Sequence, residues 1–109
     1  MLTDKIKSLV EKHYNIAVEV RHALHMYPET AFEEHKTAAL LADTLEKYGI
    51  EVQRGIAKTG LLAIVRGAKP GKTVLLRADI DALEMPEEAY VPYKSTRPGY
   101  MHGCGHDGH

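Results

Sequence analysis

The 109-residue sequence has no tryptophan, one phenylalanine and one cysteine. A single cysteine cannot close an internal disulfide, which excludes a disulfide scaffold. No apolar run exceeds about five residues, far short of the ~20 that a membrane-spanning helix needs. No charge of one sign dominates: fourteen basic residues face fifteen acidic ones, for a formal charge of -1. Without a basic patch the chain does not read as a nucleic-acid binder. The opening stretch MLTDKIKSLVEKH is charged and amphipathic, not the apolar core of a secretory signal, so a cytoplasmic location is the default expectation. With 44% hydrophobic and 27% charged residues, the composition is that of an ordinary globular protein.

The elements read in order as two helices, short strands and a long loop. Ile6, Leu9, Val10, Ile16, Val20 and Leu24 recur near one helical face, predicting a helix from about Thr3 to Met26 with Thr3 or Asp4 as cap. Pro28 restricts Tyr27 and stops it. Thr30 and Glu33 have capping-box spacing ahead of a second helix, which runs to about Tyr48 with Ala38, Leu41, Ala42 and Leu45 inward. Gly49 is its left-handed stop. Ile50–Gln53 alternates as a half-buried strand. Thr59-Gly60 turns into the apolar run Leu61–Val65, and Ala68–Lys72 turns into a second apolar run, Thr73–Ala78. Two such runs predict a hairpin within a mixed sheet. Taken alone, their uncovered apolar surface predicts self-association. Glu84–Met101 reads as a long ordered loop, packed down by Tyr90, Tyr93 and Tyr100.

Two places carry chemistry. Asp79 and Asp81 follow the second apolar run, at the strand end where open α/β sheets gather their sites. Paired carboxylates can bind a metal, hold a histidine or orient a metal-bound one; a solvated strand end, with Arg77 pairing them, is the plainer alternative. The closing segment His102-Gly103-Cys104-Gly105-His106-Asp107-Gly108-His109 packs three histidines, a cysteine and an aspartate between glycines. Thiolate and imidazole are preferred zinc ligands, and glycines let the chain bend so that neighbours can meet one ion. Cys104 and His106 are the best ligand pair, with Asp107 placed to steady a ring or cap a following helix. A cysteine nucleophile with a histidine base is a further reading. His13, His22, His25 and His35 read as surface or part-buried histidines, and Glu87 and Glu88 as a solvated acidic pair.

Several strings in order resemble metallopeptidase family M-twenty, in its amidohydrolase branch. They are Arg21-His22-Ala23-Leu24-His25-Met26-Tyr27-Pro28-Glu29, Thr59-Gly60, Leu76-Arg77-Ala78-Asp79-Ile80-Asp81-Ala82-Leu83, and Pro98-Gly99-Tyr100-Met101-His102-Gly103-Cys104-Gly105-His106-Asp107. That branch includes hippurate hydrolases, N-acyl-amino-acid amidohydrolases, thermostable carboxypeptidases and auxin-conjugate hydrolases. The resemblance implies an α/β fold, with residues 1–109 as the N-terminal portion of a three-layer α/β/α catalytic domain. It implies a pair of divalent metal ions, zinc first with manganese or cobalt as alternatives. Cys104 and His106 would be metal ligands and Asp81 the aspartate that orients the site. Asp79 stands where other branches carry a ligand histidine. Gly103 replaces the commoner alanine, and Glu84 stands where proline is frequent.

The implied reaction is metal-assisted hydrolysis of the amide bond in N-acyl amino acids or small peptides. The general-base glutamate, further ligands and a lid domain that often makes a homodimer would lie downstream of His109. The chain then reads as an N-terminal fragment, inactive alone. A non-enzymatic remnant or weak metal-binding module is the alternative.

Overall fold

A computed structural model describes all of residues 1–109. The first element, α1, spans Leu2–Met26. It starts at the chain terminus, ahead of the expected Thr3 or Asp4 cap, and no side chain caps it. Its end is as read: the Tyr27 N–H donates to the Leu24 carbonyl, and Pro28, fully buried, cannot continue the turn.

The second helix, α2, spans His35–Lys47. The expected Thr30–Glu33 capping box does not form. The Thr30 carbonyl instead accepts the Glu33 N–H at 2.9 Å. The free amides at the start of α2 go to Glu29, whose carboxylate accepts from the backbone of Lys36 (3.2 Å) and Thr37 (2.6 Å) and from the Thr37 hydroxyl (2.7 Å). A negative side chain at a helix N-terminus serves both the orphan donors and the helix dipole. Gly49, at φ +73°, ends the helix as expected.

β1 (Glu51–Ile56) and β2 (Gly60–Ile64) form an antiparallel hairpin that packs against α2. The register slips between Arg54 and Ile56, where Gly55 adopts φ +74°, a glycine bulge that bends β1. A Cβ at Gly60 would lie 2.6 Å from the Ile56 carbonyl oxygen, so the turn admits only glycine there. Thr59, in the turn, is buried and donates to Glu34 at 3.0 Å, fastening the hairpin to the start of α2.

The hairpin therefore joins the Ile50–Gln53 strand, extended to Ile56, with the Leu61 run. It does not join the two apolar runs. Residues Thr73–Ala78 form no ladder, and Val74, Leu75 and Leu76 are exposed. A strand of that composition is stabilised by neighbours on its edges and layers on its faces, and none reaches it. The sheet has two strands, both antiparallel.

The interior is small and polar. Buried apolar residues are Leu24, Ala38, Ala42, Ala82 and Pro28, against six buried polar ones: His25, Glu34, Thr37, Thr59, His102 and Asp107. Two isolated bridges then seat the segment after Asp79. Ala82 pairs with Thr30 and Leu83 with Met101. The Ala82 N–H donates to the Glu29 carbonyl (2.8 Å), while Leu83 and Met101 exchange both N–H···O bonds at 2.9 and 3.1 Å. Asp81 is thus held between the end of the α1–α2 connection and the start of the histidine-rich segment.

Candidate metal-binding site

Of the three residues singled out for the site, the structure brings two into contact. His106 turns Nδ1 toward Asp81, 2.9 Å from its carboxylate oxygen and 3.0 Å from its carbonyl oxygen. Both partners are acceptors, so the proton sits on Nδ1 and the lone pair is left on Nε2. That is the tautomer a metal-binding imidazole needs, with a carboxylate fixing the ring from behind. Cys104 is exposed, its thiol free. A thiol and an imidazole of this tautomer, two residues apart in sequence, are donor types that suit zinc or a similar divalent ion. The donors fit as part of a shell. No group of three or more His, Cys, Asp or Glu side chains is gathered around one metal-sized point.

The two aspartates part company. Asp79 pairs locally with Arg77 at 2.8 Å and is 42% exposed, the plainer of its two readings. Asp81 alone faces the histidine-rich segment. The nucleophile reading of Cys104 finds no histidine base hydrogen-bonded to the thiol. His106 Nδ1 is committed to Asp81, and both nitrogens of His102 lack any partner.

His102 is buried, and burial pushes its pKa below the usual histidine value. Attraction to Asp107 and Asp81 offsets this only in part, and the charges of His25 and His106 reinforce it. The ring is therefore held neutral, with two unsatisfied nitrogens in an otherwise polar interior.

Around it lies a buried polar cluster that the sequence did not reveal. His25, read as a surface or part-buried histidine, has a side chain only 7% exposed. Its Nδ1 meets Asp107 at 2.7 Å and its Nε2 meets Glu87 at 2.5 Å. Glu87, read as half of a solvated acidic pair, is in fact 3% exposed and accepts the Ser95 N–H at 2.6 Å. Burial alone would raise the Glu87 pKa, but the Ser95 amide and His25 outweigh it, and the carboxyl is held below its usual range. Arg21 adds a contact to Asp107 at 3.3 Å. Asp107 does steady a ring, that of His25. One local signal was available: Arg21 and His25 stand four apart on α1, on one helix face.

The long loop is irregular, as expected, and is fastened to the end of α1. Thr96 donates twice to the Met26 carbonyl, from its amide (2.9 Å) and its hydroxyl (2.7 Å), and Arg97 donates to the Pro28 carbonyl (3.0 Å). Tyr93 stacks on His22 with ring centroids 3.8 Å apart, and Tyr100 lies under the Arg97 guanidinium at 3.9 Å. Tyr90 was expected to pack the loop but is 99% exposed; no side chain approaches it. The loop's first residues also meet the histidine-rich segment. A Cβ at Gly103 would stand 2.8 Å from the Met85 sulfur and 3.6 Å from Leu83 Cδ1.

Comparison with known proteins gives a likeness along most of the chain. Residues 75–109 match Peptidase family M20/M25/M40. Thermostable carboxypeptidase 1 of Saccharolobus solfataricus is 43% identical over 109 residues, covering 99% of this chain and 28% of the relative. Hippurate hydrolase of Campylobacter jejuni is 44% identical over 91 residues, 84% of this chain and 24% of that protein. A crystal structure of the Bacillus subtilis YXEP protein, described as a dinuclear metal binding peptidase, superposes with a TM-score of 0.83. It is 36% identical, over 89% of this chain and 27% of that one. The chain spans about a quarter of the length of the curated relatives it matches. Alike these proteins in sequence along its length and in backbone course, the chain resembles peptidase family M20/M25/M40, whose pattern its residues 75–109 match.

Proposed function

We propose that this chain contributes Cys104 and His106 to a divalent metal centre, with Asp81 orienting the His106 ring. The protein that carries it would hydrolyse the amide bond of N-acyl amino acids or small peptides. The observation that carries the reading is the Asp81–His106 contact at 2.9 Å, which leaves Nε2 of a part-exposed imidazole free two residues along the chain from an exposed thiol. The relatives named for hippurate hydrolysis and carboxypeptidase activity support the substrate class. A bound divalent ion supplies Lewis acidity, acidifying water and drawing charge from a carbonyl oxygen. The chain's own residues do the preparatory work. Asp81 holds the His106 proton on Nδ1 and so keeps Nε2 a donor of electrons, and Cys104 offers sulfur once its proton is lost. Zinc suits such a mixed donor set first, with manganese and cobalt as alternatives.

A second reading, a metal-binding module without hydrolysis of its own, is favoured by one observation: no three donors converge within the 109 residues. Titration with Co2+ tests the shared part of both. A cobalt–thiolate charge-transfer band is expected, absent in Cys104→Ala, and Asp81→Ala should weaken binding about 10-fold. A wild-type chain without that band overturns both readings. Chelator-sensitive release of benzoate from benzoyl-glycine by the whole gene product, restored by Zn2+, supports hydrolysis. Its absence from a metal-loaded gene product, across acetyl and benzoyl amino acids, leaves the binding module.

A further inference from the structure

The last two turns of α1 hold both of the chain segments that meet at the candidate site. His25 Nδ1 and Arg21 Nε converge on one oxygen of Asp107, at 2.7 and 3.3 Å. On the opposite side of the ring, His25 Nε2 meets Glu87 at 2.5 Å. The three side chains His25, Asp107 and Glu87 are 7%, 1% and 3% exposed, so these contacts are shielded from water. Each ring nitrogen thus faces a carboxylate oxygen. Imidazole is the short side chain with a hydrogen-bonding nitrogen on each of two edges, and it spans the two carboxylates as amide or hydroxyl groups cannot. Asp107 is the neighbour of His106. The amides of Gly108 and His109 close the turn onto the Gly105 carbonyl at 3.1 and 3.2 Å.

We propose that His25 is a positioning residue for the metal-taking turn. By gripping Asp107 it fixes the turn 104–109, and with it the direction in which Cys104 and His106 present their donors. Through Glu87 it fixes the loop 84–101 against the same helix end. Packing of α1 does not duplicate this role, since Leu24 is its one buried apolar residue. The inference rests on the reading of Cys104 and His106 as metal donors, and its test separates the two.

Two measurements on the chain decide it: amide hydrogen exchange at Gly108 and His109 without metal, and Co2+ titration followed by the cobalt–thiolate band. His25→Ala should speed exchange of both amides about 10-fold and weaken Co2+ about 10-fold, with an altered band shape. His25→Gln, which cannot span both carboxylates, should not restore either. His13→Ala, on the exposed part of the same helix, should leave both unchanged. Wild-type exchange and Co2+ affinity in His25→Ala overturn the proposal. A wild-type chain without a cobalt–thiolate band overturns the metal reading, while the exchange comparison still decides whether His25 fixes the turn. Should His25→Ala lose its helical circular dichroism, Arg21→Gln decides, because Arg21 is 44% exposed and shares the same Asp107 oxygen. Faster exchange with a few-fold loss of Co2+ affinity supports the proposal, and wild-type values overturn it.

Discussion

Residues 65–78 and 79–109 contain no helix or named strand, yet they differ in almost every other respect. The first stretch holds the apolar Val74, Leu75 and Leu76, 82%, 78% and 92% exposed. Its long-range ties are those of Arg66, at its start, to the exposed Glu51 carboxylate at 3.0 and 3.2 Å, and no bridge or backbone hydrogen bond fixes the rest. The second carries acidic residues and histidines, of which the first has none, and is bound to α1, to the α1–α2 connection and to itself. Apolar burial orders a chain only where a complementary face exists, and residues 65–78 meet none. Charged hydrogen bonds need one aligned partner each, and α1 supplies such partners to residues 79–109. In this chain the irregular segment with the site is the more firmly fastened one because its partners are side chains and carbonyls at the end of α1 and not a sheet.

That contrast can be broken most severely at His25. His25→Ala leaves the buried Asp107 carboxylate with Arg21 alone and the buried Glu87 carboxylate with the Ser95 amide alone, and should cost about 3 kcal/mol in urea unfolding, enough to loosen residues 79–109. Acidification should act on the same joint more gradually. The Glu87 pKa lies below its unfolded value of 4.5, so its contribution is fully present above that pH. Between 4.5 and the lower folded value the unfolded state binds more protons, and stability falls with pH through that window. A urea midpoint that declines below pH 4.5 in the wild type, and less steeply in Glu87→Gln, checks the sign.

A smaller effect is expected where the two irregular parts of the site touch. Gly103→Ala sets a methyl group 2.8 Å from the Met85 sulfur, the far end of a flexible side chain that is 40% exposed and can turn aside, and should cost less than about 1 kcal/mol. Met85→Ala should relieve most of that cost, and a double-mutant cycle measures the coupling. At the other extreme, Leu76→Lys should move the urea midpoint by less than about 0.5 kcal/mol, since the side chain is 92% exposed. It should also reduce self-association in light scattering, because it removes apolar surface from an unpaired segment. A large loss of stability in Leu76→Lys would show that residues 65–78 are held after all.

Local signals in the sequence read well. The α1 stop at Pro28, the α2 stop at Gly49 and the strand after Thr59-Gly60 each follow from residues adjacent to the feature. The strand read at Thr73–Ala78 failed because its composition reports only what a strand there would require, namely neighbours on both edges and faces. The Asp81–His106 pair emerged from motif resemblance and not from spacing, since the two lie 25 residues apart. His25 was invisible as a site residue for the same reason in stronger form. Its partners Glu87 and Asp107 are 62 and 82 residues away, beyond the reach of any periodicity. The Glu29 carboxylate at the start of α2 was missed because capping was sought at the usual spacing, whereas the connection folds back to deliver it eight residues ahead of Thr37.

The contact between Gly103 and Met85 also couples the choice of residue at the two positions. Alanine at 103 with methionine at 85 is the crowded combination, and the other three pairings of a small or long side chain at 85 with glycine or alanine at 103 are open. A lineage passing between an alanine and a glycine form of this turn therefore has a preferred order of steps: position 85 shortens before position 103 gains its methyl group, and in the reverse direction the methyl group is lost before methionine arrives.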